Sequence, residues 1–230
     1  MKNKNIIYTL TLYPEKLRYD NPHVKSLNQF KEPPKFEDLT VPGIKAYAKE
    51  VEADYMNLGD ELLTLYPDFT QRFLDAGKGI YKGETSPVFP KGRMMHGFWY
   101  KILVLDFFLQ SNYDKMLFMD LDILFNRMDY NIFSDMGGAD VIAGTTEWMG
   151  RLSTAGLAHY CRDLRYNDPP DEDTAKLLDN QKYEFNSGVF AITKAGARKV
   201  IDSCLPYSDL QFMPFSHNGD QGFLTYKFLK

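Results

Sequence analysis

The chain has 230 residues, which is enough for one large α/β domain or two small ones. Its formal net charge of −4 gives no reason to expect nucleic acid or an anionic membrane as a partner. No apolar run approaches the roughly 20 residues of a membrane span. Cys161 and Cys204 form neither a metal-ligand spacing nor a disulfide framework. A reducing, cytoplasmic setting is therefore expected.

The first part of the chain predicts a strand, a long loop and a helix. Ile6 to Leu12 is an apolar run that indicates a buried first strand, because a signal peptide needs a longer apolar core. Residues 15–38 are polar and rich in Pro and Lys, which predicts a loop. Pro42 predicts the first turn of a helix that continues through Val51, since proline is favoured at that position.

The next segments predict a short strand and two helices. Tyr55 to Leu58 predicts a second strand, and Glu61 to Ala76 predicts a helix that breaks near Pro67. Residues 77–91 contain Gly, Lys and Pro and predict a surface loop. Arg93 to Gln110 predicts a long helix with one apolar stripe.

Two cations on this last helix are candidates for binding an anion. Arg93 and Lys101 are eight residues apart with Gly97 between them, so both are expected on one face. A cation there could meet a diphosphate. The alternative is a solvated basic face, which is usual for charges on helices.

The helix leads into YDKMLFMDLDILF, residues 113–125. The apolar run Met116 to Met119 predicts a strand buried on both faces. Asp120 and Asp122 follow, and strand alternation would point them the same way. Two adjacent carboxylates repel each other, and a divalent cation such as Mg²⁺ or Mn²⁺ relieves that repulsion. Because ligands of open α/β sheets bind at strand carboxyl ends, this stretch predicts a metal site for a phosphate-bearing ligand; two solvated acids are the alternative.

Two later motifs offer polar groups at the ends of apolar segments. In FNSGVF, residues 185–190, Gly188 lets a ligand approach closely, while Asn186 and Ser187 can hydrogen-bond a sugar. In NGDQG, residues 218–222, Asp220 stands where a helix N-cap would stand, so capping is its simplest explanation.

Between these motifs the chain predicts one more strand and one more helix. Ala139 to Ala143 predicts a strand, and the FNSGVF motif opens another that runs to Ile192. Lys194 to Cys204 predicts a helix that follows it. The alternation of strands and helices is typical of an α/β domain.

The segments FMDLD (118–122), FNSGVF (185–190) and NGDQG (218–222) together resemble a known family. In this order they are similar to the nucleotide-sugar glycosyltransferases of the GT-A fold, and most of all to family 8, the glycogenin and galactosyltransferase-like group. The resemblance implies a single Rossmann-like α/β domain over residues 1–230, with a mostly parallel central sheet flanked by helices. Its nucleotide-binding half would be about 1–125, and its donor and acceptor half about 126–230.

The resemblance also implies roles for particular residues. Asp120 and Asp122 would bind Mn²⁺, or Mg²⁺, against the diphosphate of a UDP-sugar, and Asp120 would also face the donor. Asp220 and Gln221 would be the catalytic pair beneath the anomeric carbon. The other implied donor contacts are Leu10, Thr11, Tyr13, Arg93, Lys101, Asn186 and Ser187.

The implied activity is that of a hexosyltransferase. It would move a hexose from UDP-glucose or UDP-galactose to a hydroxyl acceptor with retention of configuration. The acceptor could be a glycan, a protein, a lipid or a small molecule. The family's third metal ligand, a histidine in a C-terminal His-x-x-Gly-x-x-Lys motif, has no counterpart after residue 222, and His217 stands where glycogenin-like members carry an acid. Either water completes the metal's coordination, or the chain is one domain of a longer protein.

Three alternatives remain open from the sequence. A non-catalytic nucleotide-sugar-binding module would bind the donor without turning it over. A haloacid-dehalogenase-like phosphohydrolase also has an Asp-x-Asp after a buried strand, but on its first core strand and before a small Thr or Gly turn, whereas Ile123 and Leu124 follow here. A nucleotidyltransferase would need a glycine-rich basic loop after the first strand, and residues 13–18 contain no glycine.

Overall fold

A computed structural model of the protein describes residues 4–12, 36–77, 80–81, 84–85, 97–145, 172–173, 176, 185–210 and 220–229. The strands are β1 (Asn5–Leu10), β2 (Ala53–Leu58), β3 (Ile80–Tyr81), β4 (Glu84–Thr85), β5 (Lys115–Met119), β6 (Val141–Thr145) and β7 (Phe185–Thr193). The helices are α1 (Phe36–Glu50), α2 (Glu61–Leu65), α3 (Pro67–Gly77), α4 (Lys101–Gln110), α5 (Ile132–Asp135), α6 (Lys194–Cys204) and α7 (Gln221–Leu229).

Five strands form one mixed sheet in the order β2-β1-β5-β7-β6. β1 pairs in parallel with both β2 and β5, while β7 is antiparallel to β5 and β6. The carboxyl ends of β1, β2 and β5 therefore lie at one edge of the sheet. β3 and β4 form a separate antiparallel pair. The predicted α/β class, with a sheet flanked by helices, is confirmed, but the expected mostly parallel sheet is wrong, because β7 runs antiparallel to both of its neighbours.

Helices cover both faces of the sheet and produce two apolar cores. On one face, Tyr8, Phe118 and Phe190 pack with side chains of α3, α4, α6 and α7. On the other face, Ile7 and Leu117 pack with side chains of α1 and α5. Each large side chain that is fully removed from water stabilises the fold by about 1.5–3 kcal/mol. The two cores hold the central strands rigidly, and so fix the edge at which those strands end.

Helix α4 differs from the amphipathic helix that the sequence predicts over 93–110. It begins at Lys101, after a 3-10 turn at Gly97–Tyr100. Its first five residues, Lys101 to Leu105, are all buried, because the helix packs against β1 and α6. A solvated basic face, the alternative interpretation of this helix, is therefore wrong for Lys101. Arg93 lies outside the described residues.

Helix α1 also departs from the prediction. It begins at Phe36, so Pro42 lies inside the helix and not in its first turn, and residues 36–38 are helical where a loop was predicted. An internal proline removes one backbone hydrogen bond. The helix persists because Ile44, Tyr47 and Ala48 are buried against the sheet beyond that point. Packing thus outweighs the local cost of Pro42.

Several other predicted elements agree with the structure. The boundary at Pro67 separates α2 from α3, and α6 spans the predicted Lys194–Cys204. β6 begins at Val141, two residues later than predicted, and β1 ends at Leu10 instead of Leu12. In the part of the chain that is described, no helix combines the length and the apolar character needed to cross a membrane.

Candidate functional site

The candidate site lies where β5 ends between β1 and β7. β5 stops at Met119, and the main-chain N–H of Asp120 donates to the carbonyl oxygen of Gly188 in β7, at 2.7 Å. Both predicted acids therefore lie beyond the strand, with Asp122 in a turn, so strand alternation does not set their relative direction as predicted. The contact with Gly188 instead fixes the backbone of Asp120 at the carboxyl edge.

Lys101 is a buried cation that joins β5 to β7. Its ammonium group lies 3.1 Å from Oδ2 of Asp120, 3.1 Å from the carbonyl oxygen of Ser187 and 3.3 Å from Oγ of Ser187. Its side chain is only 4% exposed, and Nζ lies 5.2 Å from the ring centre of Phe118. A buried charge is tolerated when it is paired and hydrogen-bonded. The Lys101 ammonium therefore orients the Asp120 carboxylate and contacts it directly.

Asp220 is a fully buried carboxylate at the start of α7. Neither carboxylate oxygen has a hydrogen bond of ordinary geometry to a described residue, although the Ser187 hydroxyl lies close enough to lower the pKa of the group. Burial raises the pKa of this carboxyl group to about 7; the Lys101 charge lowers the pKa by a smaller amount, and the Asp120 charge raises it. The main-chain carbonyl of Asp220 accepts from Leu224, at 2.9 Å, but the side chain does not cap the helix. Helix capping, the simplest explanation from the sequence, therefore does not account for the buried Asp220 side chain.

The two acids of the Asp-x-Asp motif have different environments. Burial raises the pKa of Asp120, Lys101 lowers it and the nearby charge of Asp122 raises it. Asp122 is exposed and has no hydrogen bond or ion pair to another described residue. Within the described ranges no group of three or more His, Cys, Asp or Glu residues could hold a metal ion. Two carboxylates nevertheless suit Mg²⁺ or Mn²⁺, which commonly takes one or two carboxylates together with water and substrate phosphates.

Gly188 leaves room for the Asp120 carboxylate. A Cβ atom at this position would lie 2.7 Å from Oδ2 of Asp120 and 2.8 Å from Oδ1 of Asn186. The Asn186 side chain is exposed, and its oxygen accepts a hydrogen bond from the N–H of Gly188 at 2.7 Å. The glycine that the sequence associates with ligand approach is thus also required by a carboxylate of the protein.

Of the other residues predicted from the sequence, those that the structure describes are at or near the same edge. Leu10 ends β1, and Thr11 follows it, beside the strand that carries Asp120. Gln221 is the first residue of α7. Tyr13 lies outside the described residues. The structure therefore brings Lys101, Asp120, Ser187 and Asp220 into one cluster, which we call the edge cluster.

Sequence reasoning missed one polar residue at this edge. Asn57 is the next-to-last residue of β2, and its side chain is hydrogen-bonded to that of Thr11. The sequence did contain a signal for Asn57, because it is a polar residue near the carboxyl end of a predicted strand. The same signal identified Asp120.

No protein-family model and no curated protein sequence matches the chain. A functional proposal must therefore rest on the chemistry of the edge cluster.

Proposed function

We propose that the protein is a metal-dependent glycosyltransferase of the GT-A type, which moves a hexose from a nucleoside-diphosphate sugar to a hydroxyl acceptor. UDP-glucose and UDP-galactose are the first donors to consider. The observation that carries this proposal is the edge cluster, in which a buried Lys101 is paired with the partly exposed Asp120, close to the buried Asp220 carboxyl group, whose oxygens have no hydrogen bond of ordinary geometry to a described residue. This arrangement is unfavourable for stability alone, and a ligand at the carboxyl edge could use it.

Asp120 and Asp122 are the residues that would hold the metal. A divalent cation held by these two carboxylates would supply positive charge to the diphosphate leaving group. Lys101 supports this role because its ammonium group fixes one oxygen of Asp120 from inside the protein. We therefore assign Lys101 to positioning of the metal-binding carboxylate, while the diphosphate binds on the exposed side, next to Asp122.

Asp220 is suited to recognise the sugar. Its buried oxygens need hydrogen-bond donors, and the hydroxyl groups of a hexose supply them. When ionised, the carboxylate also favours positive charge that develops at the anomeric carbon. Ser187 and Asn186 lie on the neighbouring strand β7 and could complete the hydrogen bonding.

A donor screen tests the proposal. Release of nucleoside diphosphate would be followed from UDP-, GDP- and dTDP-sugars, with Mn²⁺ and then with EDTA. We expect slow hydrolysis of one donor that requires the metal. Asp122→Ala should lower this rate at least ~10²-fold, since lost electrostatic stabilisation of that kind costs about 3 kcal/mol or more.

A matched control makes the screen specific. Asp129 is also exposed, seven residues further on, and its ion pair with Arg127 is at the surface. Asp129→Ala should therefore leave the rate unchanged. Metal-dependent binding without turnover, even with added acceptors, would favour a non-catalytic binding module. Hydrolysis of simple phosphomonoesters would favour a phosphohydrolase instead.

The stereochemical part of the proposal has its own test. NMR of the product formed from an α-linked donor should show the α anomer first if configuration is retained. A β product would rule out retention and leave the transferase assignment in place.

A further inference from the structure

A cavity of about 1190 Å³ lies at the amino edge of the sheet, between α1, α5 and the first residues of β1 and β2. We call it the amino-edge cavity. Its apolar side is made of buried residues, which are Ala48, Val51 and Ala53. Its polar lining includes Asn5, Lys45, Lys49, Glu52, Asn131 and Ser134. A cavity of this size is large enough for a small organic ligand.

The amino-edge cavity is separate from the edge cluster. Asn5, the first residue of β1, lines the cavity, whereas the edge cluster lies where β5 ends. β1 has six residues, so the two places are roughly 15 Å apart along the strand. They also lie on opposite faces of the sheet, because Tyr55 in the cavity is paired with Ile7, while Lys101 lies over Phe118 in the other core. A ligand in the cavity would therefore not be the donor of the proposed reaction.

Two lysines of α1 make one side of the cavity positive. Lys45 and Lys49 are four residues apart on one helix face, and like charges at this spacing repel each other. Neither ammonium group has an ion pair with a described residue, and Nζ of Lys45 lies 5.8 Å from the ring centre of Tyr55. Lys49 is in the last turn of α1, where the helix dipole favours a cation, but Lys45 is one turn earlier. An anion bound between the two lysines would relieve their repulsion.

The other charged residues at the cavity leave this positive side largely uncompensated. The Lys4 ammonium already lies 3.3 Å from Asp114. Asp54 accepts a hydrogen bond from the Tyr113 hydroxyl at 2.7 Å, and strand alternation puts its side chain on the opposite face of the sheet. Glu52 is exposed and has no ion pair with a described residue. Among the described lining residues, two lysines therefore face one acid.

Neutral polar groups complete the lining. The side-chain oxygen of Asn131 accepts from the main-chain N–H groups of Phe133 and Ser134, which leaves its amide N–H groups for a ligand. The Ser134 hydroxyl and the Asn5 carboxamide have no side-chain hydrogen bond to a described residue. Amides and hydroxyls can each donate to and accept from the hydroxyl groups of a ligand.

We propose that the amino-edge cavity is a second binding site, which takes a small molecule with a phosphate group and a hydroxyl-bearing organic part. The phosphate binds between Lys45 and Lys49, because its negative charge matches two ammonium groups better than a single carboxylate would. The organic part contacts Asn5, Asn131 and Ser134. This site uses no metal and no residue of the edge cluster, so it is independent of the proposed function.

The test is an NMR titration of the isotope-labelled protein with inorganic phosphate and with ribose-5-phosphate, in EDTA and at low ionic strength. Ribose is the uncharged control. We expect both phosphates to shift the main-chain amide signals of Lys45, Lys49 and Tyr55. Ribose-5-phosphate should bind at least about threefold more tightly than phosphate, because its hydroxyl groups add hydrogen bonds. Ribose alone should leave these signals in place.

Charge variants test the site in two directions. Lys45→Gln should weaken the binding of ribose-5-phosphate about threefold to fivefold, since it removes one exposed charge pair. Glu52→Gln should strengthen binding about twofold, since it removes a repulsion. Lys199→Gln is the matched control, because Lys199 pairs with Asp140 and belongs to α6, which packs on the other face of the sheet. All three side chains are exposed, so each variant should fold.

The outcomes are separable from those of the donor screen. The inference is overturned if neither phosphate shifts the signals of the cavity residues, or if Lys45→Gln and Glu52→Gln bind ribose-5-phosphate as the wild-type protein does. Binding of ribose as tight as that of its phosphate would also contradict it. None of these results bears on metal-dependent binding of UDP, and failure of UDP to bind would overturn the proposed function alone.

Discussion

Two polar clusters, one at each end of helix α4, differ in how completely their side chains are hydrogen-bonded. Near the far end of α4, Tyr207 donates to one oxygen of Asp106, and Gln110 donates to the other oxygen and to Tyr66. We call these four residues the helix cluster. In the edge cluster, by contrast, Lys101 makes three polar contacts, but neither oxygen of Asp220 has a hydrogen bond of ordinary geometry to a described residue.

This difference indicates different purposes. Polar groups that serve stability are normally paired, because an unpaired buried group costs about 1–3 kcal/mol. In the helix cluster, burial and the Asp106 contact raise the pKa of Tyr207, so its phenol remains a hydrogen-bond donor. In the edge cluster, the buried Asp220 carboxyl group lacks hydrogen bonds of ordinary geometry, and the ligand that we propose would supply them. The following substitutions test this contrast, beginning with the largest expected effect.

Asp220→Asn should increase stability while it abolishes activity. The pKa of Asp220 in the folded protein, about 7, is above its unfolded value, so the folded state binds the proton more tightly. Stability from this group is thus present below about pH 4 and is lost as the pH rises to about 7. At pH 8 the asparagine variant should be more stable by up to about 4 kcal/mol, and by much less at pH 4.5.

Urea unfolding of both proteins at the two pH values measures this gain, and the donor assay measures the loss of activity. A gain in stability that does not depend on pH would show that ionisation of Asp220 is not its source.

Lys101→Met should destabilise the fold by about 3 kcal/mol, because it leaves the Asp120 carboxylate without its cation. We expect the low end of the usual range, since the Asp120 side chain is 32% exposed. The matched control is Lys199→Met, which removes a similarly short ion pair, at 3.0 Å to Asp140, from the surface. That change should cost less than about 1 kcal/mol. Equal losses in chemical denaturation would contradict the special role of Lys101.

Tyr207→Phe should lower the free energy of unfolding by about 1–2 kcal/mol, because it removes one hydrogen bond to Asp106. Donor turnover should be the same as in the wild-type protein. A marked fall in kcat from this substitution would mean that the helix cluster contributes to function, and the contrast between the two clusters would fail.

Gly188→Ala should reduce kcat/KM about tenfold with little change in the unfolding midpoint, since an added Cβ 2.7 Å from Oδ2 of Asp120 forces that side chain to move, which weakens positioning more than packing. Gly138→Ala is the control, because an added Cβ there meets nothing within 4 Å. If both alanine variants retain full activity, the position of Asp120 does not limit the reaction.

Local sequence patterns predicted much of the fold. Apolar runs predicted β1, β5 and β7, and helical spacing predicted α6, because burial and periodicity are recorded in neighbouring residues. The start of α1 was not predictable in this way, since packing of residues beyond Pro42 sustains the helix. The apolar stripe of α4 was misleading, because this helix is buried on nearly every side.

Part of the candidate site was also visible in the sequence. Polar residues at the ends of apolar runs pointed to Asp120, Ser187 and Asp220, which the fold brings together. The direction of Lys101 toward Asp120 depends on how α4 packs on the sheet, which the sequence does not record. The partnership of Asn57 with Thr11 depends on the register between β1 and β2. Contacts of this kind are set by tertiary packing and cannot be predicted from sequence motifs or residue spacing.

The most direct measurement is calorimetric titration of UDP into the protein, with Mn²⁺ and with EDTA. The account predicts binding that requires Mn²⁺, that is unchanged in Tyr207→Phe and that is weakened at least ~10²-fold in Asp122→Ala. UDP binding that survives both EDTA and Asp122→Ala would contradict the claim that the carboxyl edge of β5 is a metal-dependent nucleotide site.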